Sequence, residues 1–179
     1  MEENIGAPGR IKKIAIVGPE STGKSDLSRA LAKHFNTVWV PEYARRYIDN
    51  LNRPYEKNDL FKIAIGQIQA EDQLEQKADK FLFCDTNLWV IKIWSEHKYG
   101  NCADWILKEL KDRFYDLHLL TYIDLPWQDD PQREHPTLRQ YFFDVYKNEL
   151  DSAGINYKII SGLGHERIEN AISAIETFL

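Results

Sequence analysis

Five short runs of the chain are dominated by apolar residues and bounded by glycine, proline or charge. They are IKKIAIV at 11–17, TVWVP at 37–41, FLFCD at 81–85, LHLLTYID at 117–124 and YKIIS at 157–161. Runs of this length and composition predict strands, and those at 11–17 and 81–85 read as buried ones. Between them the apolar residues recur at helical spacing. Ser25 to Phe35 carries Leu27, Ala30, Leu31 and His34 on one stripe. A helix over 42–52 is closed by Asn-Arg-Pro. A long one from about Lys57 to Lys80 presents Leu60, Ile63, Ala64, Gln67, Glu71, Leu74 and Ala78. Further helical patterns occupy 87–98, 103–114, 137–153 and 165–178. Residues 125–136, LPWQDDPQREHP, hold three prolines and read as an irregular flap. Strands alternating with helices predict an α/β fold, a parallel sheet covered by helices on both faces. There is no internal repeat or linker, so residues 11–179 read as one domain. Residues 1–10 read as a loose tail with no apolar signal region.

The connection from the first strand to the first helix is GPESTGKS, residues 18–25, which fits G-x-x-x-x-G-K-[ST]. Gly18 and Gly23 let the backbone turn its N–H groups inward around phosphate oxygens, with Ser21 and Thr22 inside the same loop. Lys24 reaches the β- and γ-phosphates. The Ser25 hydroxyl suits Mg²⁺, and the helix it opens favours anions at its N-terminus. The context the motif requires, a strand before and a helix after, is present. A glycine-rich strand–helix turn without a ligand is the plainer alternative.

Phosphate binding leaves the reaction open, and other segments narrow it. No N/T-K-x-D stretch is present to read guanine. The third strand ends in Asp85-Thr86-Asn87, a single carboxylate without the acidic neighbour expected of a water-activating ATPase; Asp85 therefore suits Mg²⁺ organisation or, more plainly, a helix cap. In VPEYARRY, Glu42 lies just past the second strand, at the sheet edge that carries the phosphate loop. A carboxylate there can take the proton of an attacking hydroxyl; its alternative is a helix N-terminal charge. On the flap, Arg133 can meet the charge of a transferred phosphoryl group, Arg139 can do so from the next helix, and Asp130 can hold an arginine or touch substrate. Gln67 and Glu71 interrupt an apolar stripe and need partners, either a substrate or each other. Tyr43, Trp89 and Trp94 are core residues or a platform for a flat ring. Gly162, in the SGLG turn after the fifth strand, permits close approach of an adenine edge.

Composition removes some classes. The chain of 179 residues is 43% hydrophobic and 28% charged with a net charge of -5. No polybasic stretch supports nucleic-acid binding or an anionic membrane surface. No apolar run approaches the roughly 20 residues that span a bilayer. Cys84 and Cys102 fit no metal spacing, and a reduced, cytoplasmic chain is the expectation.

Taken in order, GPESTGKS, PEYARRY, GQIQAED, FLFCDTN and DLPWQDDPQRE resemble the ribosylnicotinamide kinase domain of NadR-type proteins, over about residues 11–178. The resemblance implies a P-loop kinase with a nucleoside-monophosphate-kinase-like core, strand order 2-3-1-4-5 and a lid at about 126–138. It implies transfer of the ATP γ-phosphate to the 5′-hydroxyl of nicotinamide riboside, with Mg²⁺ and ATP as cofactors and a small nucleoside as partner. By that match Gly18, Gly23, Lys24 and Ser25 carry ATP and Mg²⁺, Glu42 lies near the ribose, Asp85 marks the acidic strand end, and Arg133 sits on the lid. Tyr43, Gln67, Glu71, Asn87 and Asp130 are the expected substrate contacts. Multifunctional relatives carry an adenylyltransferase domain and a DNA-binding segment before the kinase, and neither activity is expected of these residues. Another nucleoside or vitamin alcohol, or a regulatory nucleotide-binding module without turnover, stays open as the alternative.

Overall fold

The structure is a computed structural model that describes residues 10–179, so all but the last residue of the expected tail lies outside the described residues. Arg10 itself is tied down by an ion pair with Asp116. The elements run β1 (Lys12–Val17), α1 (Lys24–His34), β2 (Trp39–Val40), α2 (Tyr43–Asp49), α3 (Lys57–Glu75), β3 (Phe81–Asp85), α4 (Leu88–Tyr99), α5 (Asp104–Asp112), β4 (Leu117–Thr121), α6 (Arg139–Ser152), β5 (Tyr157–Ile160) and α7 (His165–Phe178).

The five strands form one sheet, all neighbours parallel, in the order β2-β3-β1-β4-β5. This is the order and class expected from the sequence. Strand β1 is central and its side chains alternate between two cores. Ile14 and Ile16 pack with Leu27 and Leu31 of α1, Phe83, Leu119 and Ile175 of α7. Ala15 and Val17 pack with Trp89 and Ile93 of α4, Leu120, and Phe143 and Tyr146 of α6. A satellite core of Leu60, Ile63, Leu88, Ile91 and Ile106 joins α3, α4 and α5. Among the described residues no helix is long and apolar enough to cross a membrane.

Several elements end earlier than their sequence pattern suggests. Helix α3 stops at Glu75 rather than near Lys80. Beyond Leu74 the chain is mostly polar, and Lys77 and Ala78 donate to carbonyls only three residues back, so the last turn tightens and no further turn follows. Helix α2 likewise closes at Asp49, with Leu51 N–H bonded to Ile48. Strand β4 ends at Thr121, and Tyr122–Asp124 lead irregularly into the flap. The start of α3 is fixed by a capping box between Glu56 and Asp59.

Parallel pairing sets the site. Ile16 lies in register with Asp85, Val17 with Leu120 and Thr121 with Ile160. The carboxyl ends of β1, β3 and β4 therefore reach one edge together, the edge at which ligands bind in open α/β sheets.

Candidate active site

The phosphate loop is held from beneath by the end of β4. Gly18 has φ +139°, and a Cβ there would lie 2.5 Å from the Thr121 hydroxyl, so glycine is required on both grounds. Thr22 Oγ1 donates to the Pro19 carbonyl at 2.8 Å and stands 2.7 Å from Thr121 Oγ1. The loop is thus built before any ligand arrives. Helix α1 begins at Lys24 with no side-chain cap, which leaves its first N–H groups available to an anion. The Lys24 ammonium donates to the Pro19 carbonyl at 2.7 Å. Burial lowers its pKa, against the pull of Glu42, Asp85 and Glu20.

Two carboxylates face this cation. Asp85 ends β3, is 2% exposed, and its Oδ1 is buried with no hydrogen-bond partner. Burial raises its pKa, opposed by the Ser25 hydroxyl, Lys24 and the Glu42 N–H. An orphaned carboxylate oxygen beside a serine hydroxyl is a donor set that fits Mg²⁺, which takes one or two protein oxygens and leaves the rest to water and phosphate. Glu42 caps the N-terminus of α2 by position without a side-chain cap bond. Its pKa is pushed up to about 7, by burial first and by Asp85 second, while Lys24 and Arg45 pull it down. Part of Glu42 opens onto the cavity, so it meets both water and ligand.

The flap docks on the loop. The Gln128 N–H donates to Ser21 Oγ at 2.9 Å, and the Glu134 and His135 N–H groups donate to the Glu20 carboxylate at 3.1 and 3.0 Å. Arg133 lies 3.4 Å from Ser21 Oγ and donates to the Gln128 carbonyl. Arg45 and Asp130 form a two-pronged ion pair that fastens the flap to α2. Enclosed between loop, α2, α4, flap and α6 is a cavity of about 230 Å³. Its lining combines the phosphate loop with Lys24, the flap with Arg133, the carboxylate of Glu42, and the aromatic residues Trp94, Phe142 and Tyr146.

Of the residues singled out in the sequence, Gly18, Ser21, Thr22, Gly23, Lys24, Ser25, Glu42, Trp94 and Arg133 line this one cavity, and Asp85 interacts with Lys24 and Ser25 of that group. Trp89 packs in the core beside β1, and the others have partners elsewhere. Arg139 donates to the Ser21 and Leu125 carbonyls and braces the loop from outside the cavity wall. Gly162 has φ +101° and lies outside this cavity; it donates its N–H to Asp124 and its carbonyl accepts from buried Arg167, while the turn around it stays exposed to solvent. Asn87 is a helix cap: its Oδ1 accepts from Trp89 N–H at 3.1 Å. Asp130 is spent on Arg45. Glu71 is fully buried, accepts from Tyr115 Oη at 2.7 Å, and lies among Arg113 and Gln67.

Gln67 has a structural task at the site without lining it. Its Oε1 accepts the Tyr43 N–H at 3.0 Å, and its Nε2 lies 3.4 Å from the Thr86 carbonyl and 3.3 Å from Glu71. One amide thereby holds the residue following Glu42 and the residue following Asp85. Tyr43 packs flat over Gly66, where a Cβ would lie 2.2 Å from its ring, and serves packing rather than the cavity. The polar break in the α3 stripe was the right signal, but its partners are protein groups.

Sequence reasoning missed Glu20, Phe142 and Tyr146. Glu20 occupies a variable position of the motif, and the two aromatic residues read as ordinary core on α6. Only the three-dimensional approach of α6 to the loop makes them cavity walls.

The chain matches the AAA domain family AAA_28 over residues 13–167. It is 31% identical over 132 residues to the trifunctional NAD biosynthesis/regulator proteins NadR of Salmonella typhimurium and Escherichia coli K12. That match covers 70% of this chain and 32% of each relative, so the chain spans about a third of the length of the curated relatives it matches. Among solved structures, a NadR protein in complex with NR is similar with a TM-score of 0.81 and 22% identity, over 94% of this chain and 52% of that one. A NadR protein in complex with NAD and AMP-PNP gives 0.76 and 21%, over 94% and 50%. A thymidylate kinase from Ehrlichia chaffeensis gives 0.65 and 14%, over 96% and 100%. At these identities the structural matches establish the shared fold. By the family match and the phosphate loop it contains, the chain belongs to the AAA_28 family of P-loop AAA domains, and NadR proteins are among its homologues.

Proposed function

We propose that this chain is an ATP-dependent kinase that phosphorylates the 5′-hydroxyl of nicotinamide riboside, giving nicotinamide mononucleotide for NAD synthesis in the cytoplasm. The observation that carries the reading is Glu42. It is a carboxylate with a pKa pushed up to about 7 that lines one cavity together with the phosphate loop, Lys24 and three aromatic side chains. A base in that place has a pKa matched to neutral pH and stands where an acceptor hydroxyl meets a γ-phosphate. The homology to NadR supports the choice of acceptor.

In this reading the loop N–H groups and Lys24 bind the phosphates of ATP, and Lys24 follows the negative charge as it moves toward the transition state. Ser25 and Asp85 would hold Mg²⁺, which when bound neutralises charge on the β- and γ-phosphates. Glu42 accepts the proton from the attacking hydroxyl. Arg133 stabilises the equatorial oxygens of the transferred group, and the docked flap excludes water that would hydrolyse ATP. Trp94, Phe142 and Tyr146 supply the flat surfaces that a pyridinium ring prefers, with cation–π attraction to the indole.

The test is a panel of nucleosides and vitamin alcohols incubated with Mg-ATP, with phosphorylated product scored by mass. Product from nicotinamide riboside at a kcat/KM above every other acceptor is expected. Preference for another acceptor would move the assignment to that substrate. ATP turnover independent of any acceptor would overturn the kinase reading.

A further inference from the structure

The phosphate loop carries one charge of the wrong sign for its ligand. Glu20, at a variable position of GPESTGKS, is half-buried and lines the nucleotide cavity together with Lys24 and Arg133. Its field is felt there: it works against the lowering of the Lys24 pKa and adds to the rise at Glu42. A carboxylate so placed repels a triphosphate, so phosphate binding does not account for it. Its hydrogen bonds do. The carboxylate accepts the N–H groups of two successive flap residues, Glu134 at 3.1 Å and His135 at 3.0 Å. Both are charge-assisted bonds to main chain, so they hold the path of the flap rather than any one side chain.

The next loop residue grips the flap from the other direction. Ser21 Oγ accepts the Gln128 N–H at 2.9 Å. Arg133 stands between the two attachments, one residue before the first N–H that Glu20 accepts, and its guanidinium reaches Ser21 Oγ at 3.4 Å. The remaining ties of this segment lead away from the loop. Asp130 and Gln132 bond to Arg45 and Asp49 of α2. The Glu134 side chain meets Lys98 of α4 and Tyr55. The His135 ring packs against Phe142 of α6. The attachments at Glu20 and Ser21 are therefore the ones that register Arg133 against the loop that holds phosphate.

We propose that Glu20 is a positioning residue for phosphoryl transfer: its carboxylate clasps the flap backbone at 134–135 so that the Arg133 guanidinium meets the transferred group, and it repels bound ATP while doing so. The step it serves rests on the kinase reading above; the clasp itself does not. The two effects have opposite signs. Removing the carboxylate loosens the arginine, which slows transfer, and removes a repulsion, which favours nucleotide binding. A residue that merely supported the shape of the loop would weaken both together.

The experiment compares Glu20→Ala, Glu20→Gln, Arg133→Ala and the variant carrying both alanines, with AMP-PNP affinity measured by calorimetry and transfer measured at saturating ATP and acceptor. Glu20→Ala should lower kcat about tenfold or more, the scale of a misplaced catalytic group, while binding AMP-PNP as tightly as the parent or more tightly. Glu20→Gln, which keeps one acceptor oxygen and loses the charge, should fall between the two in kcat. The double variant should turn over within about threefold of Arg133→Ala, because an arginine already removed cannot be displaced. Hydrogen exchange of the Glu134 and His135 amides in the nucleotide-free protein reads the clasp with no turnover at all. It should quicken at least about tenfold in Glu20→Ala, with the interior of α6 unchanged. If no acceptor is phosphorylated, the exchange measurement still tests the clasp, so failure of the kinase reading and failure of this inference are told apart. Unchanged exchange at 134–135, AMP-PNP binding weakened in step with kcat, or losses from Glu20→Ala and Arg133→Ala that multiply in the double variant would each overturn the assignment.

Discussion

Replacing Glu42 by glutamine separates the two roles a glutamate at this position can have. The substitution keeps size and hydrogen-bonding shape but removes the charge and the ability to take a proton. If Glu42 is the base, kcat should fall by roughly 10²–10⁴ while ATP binding is retained. The same substitution should stabilise the folded protein at alkaline pH. Burial and Asp85 hold the Glu42 carboxyl at about 7 in the folded chain against an ordinary 4.5. A group whose folded pKa is raised binds protons more tightly in the folded state, so stability falls as pH climbs from the ordinary value to the folded one. Above about pH 7 the full cost is present, and below 4.5 it vanishes. The difference converts to about 3 kcal/mol as an upper figure, and water in the open cavity reduces it to about 1–2 kcal/mol. For a chain of this length that is about 2–8 °C in melting temperature. Thermal melts of the nucleotide-free protein at pH 8.5 and pH 4.5 read it directly. Glu42→Gln should melt higher than the parent at the upper pH and equal to it at the lower. A variant that melts lower at pH 8.5 would show that the carboxylate stabilises α2 through the helix dipole, and together with unchanged kcat it would refute the base assignment. For the parent enzyme, the rate should rise with pH through the neutral range and level off once Glu42 is ionised.

Lys24→Ala should lower phosphoryl transfer at least about 100-fold, as loss of one preorganised donor does; a folded variant with near-normal steady-state turnover would remove the phosphate-loop reading. Arg133→Ala should depress kcat more than it raises the KM for ATP, with Arg133→Lys restoring only part, because an ammonium lacks the planar fork. Acceptor-free ATP hydrolysis should rise relative to transfer in the same variant, and kinetics equal to the parent would shift the role to another arginine. Gln67→Met should strand the Tyr43 N–H and cost about 1–3 kcal/mol in denaturant unfolding. It should also alter the pH profile of kcat, since Gln67 holds the chain beside both carboxylates. A lowered stability with an unmoved profile would confine Gln67 to a structural role.

The periodicity of the chain was enough to specify the architecture. Five short apolar runs, each separated by helical pattern, leave a parallel sheet with crossover helices as the solution that satisfies backbone hydrogen bonds; the central strands β1, β3 and β4 are the buried ones, and β5 at the edge keeps Lys158 and Ile159 exposed. The GPESTGKS stretch was equally legible, because its chemistry lives in local backbone conformation: glycine at Gly18 and Gly23, then a helix that starts at Lys24. Glu42, Asp85 and Arg133 could be singled out because each follows the carboxyl end of a strand, and parallel strands deliver those ends to one edge.

What only the tertiary structure decided concerns side chains whose partners are distant in sequence. Gln67 and Glu71 announced a need for partners, but a stripe cannot say whether the partner is a ligand or the backbone of residues 43 and 86. Packing of α3 against the ends of β2 and β3 chose the backbone. Asp130 could as well have met a substrate and Arg139 a phosphate, yet Asp130 pairs with Arg45 and the Arg139 Nη groups donate to the Leu125 and Ser21 carbonyls. Phe142 and Tyr146 carry no signal beyond hydrophobicity, and they become cavity walls only because α6 folds against the same space as the phosphate loop. The pKa of Glu42 has the same origin: a carboxylate's sequence neighbours do not set its desolvation, and the nearness of Asp85, 43 positions along the chain, exists only once β3 is seated beside β2, with Val40 in register with Cys84.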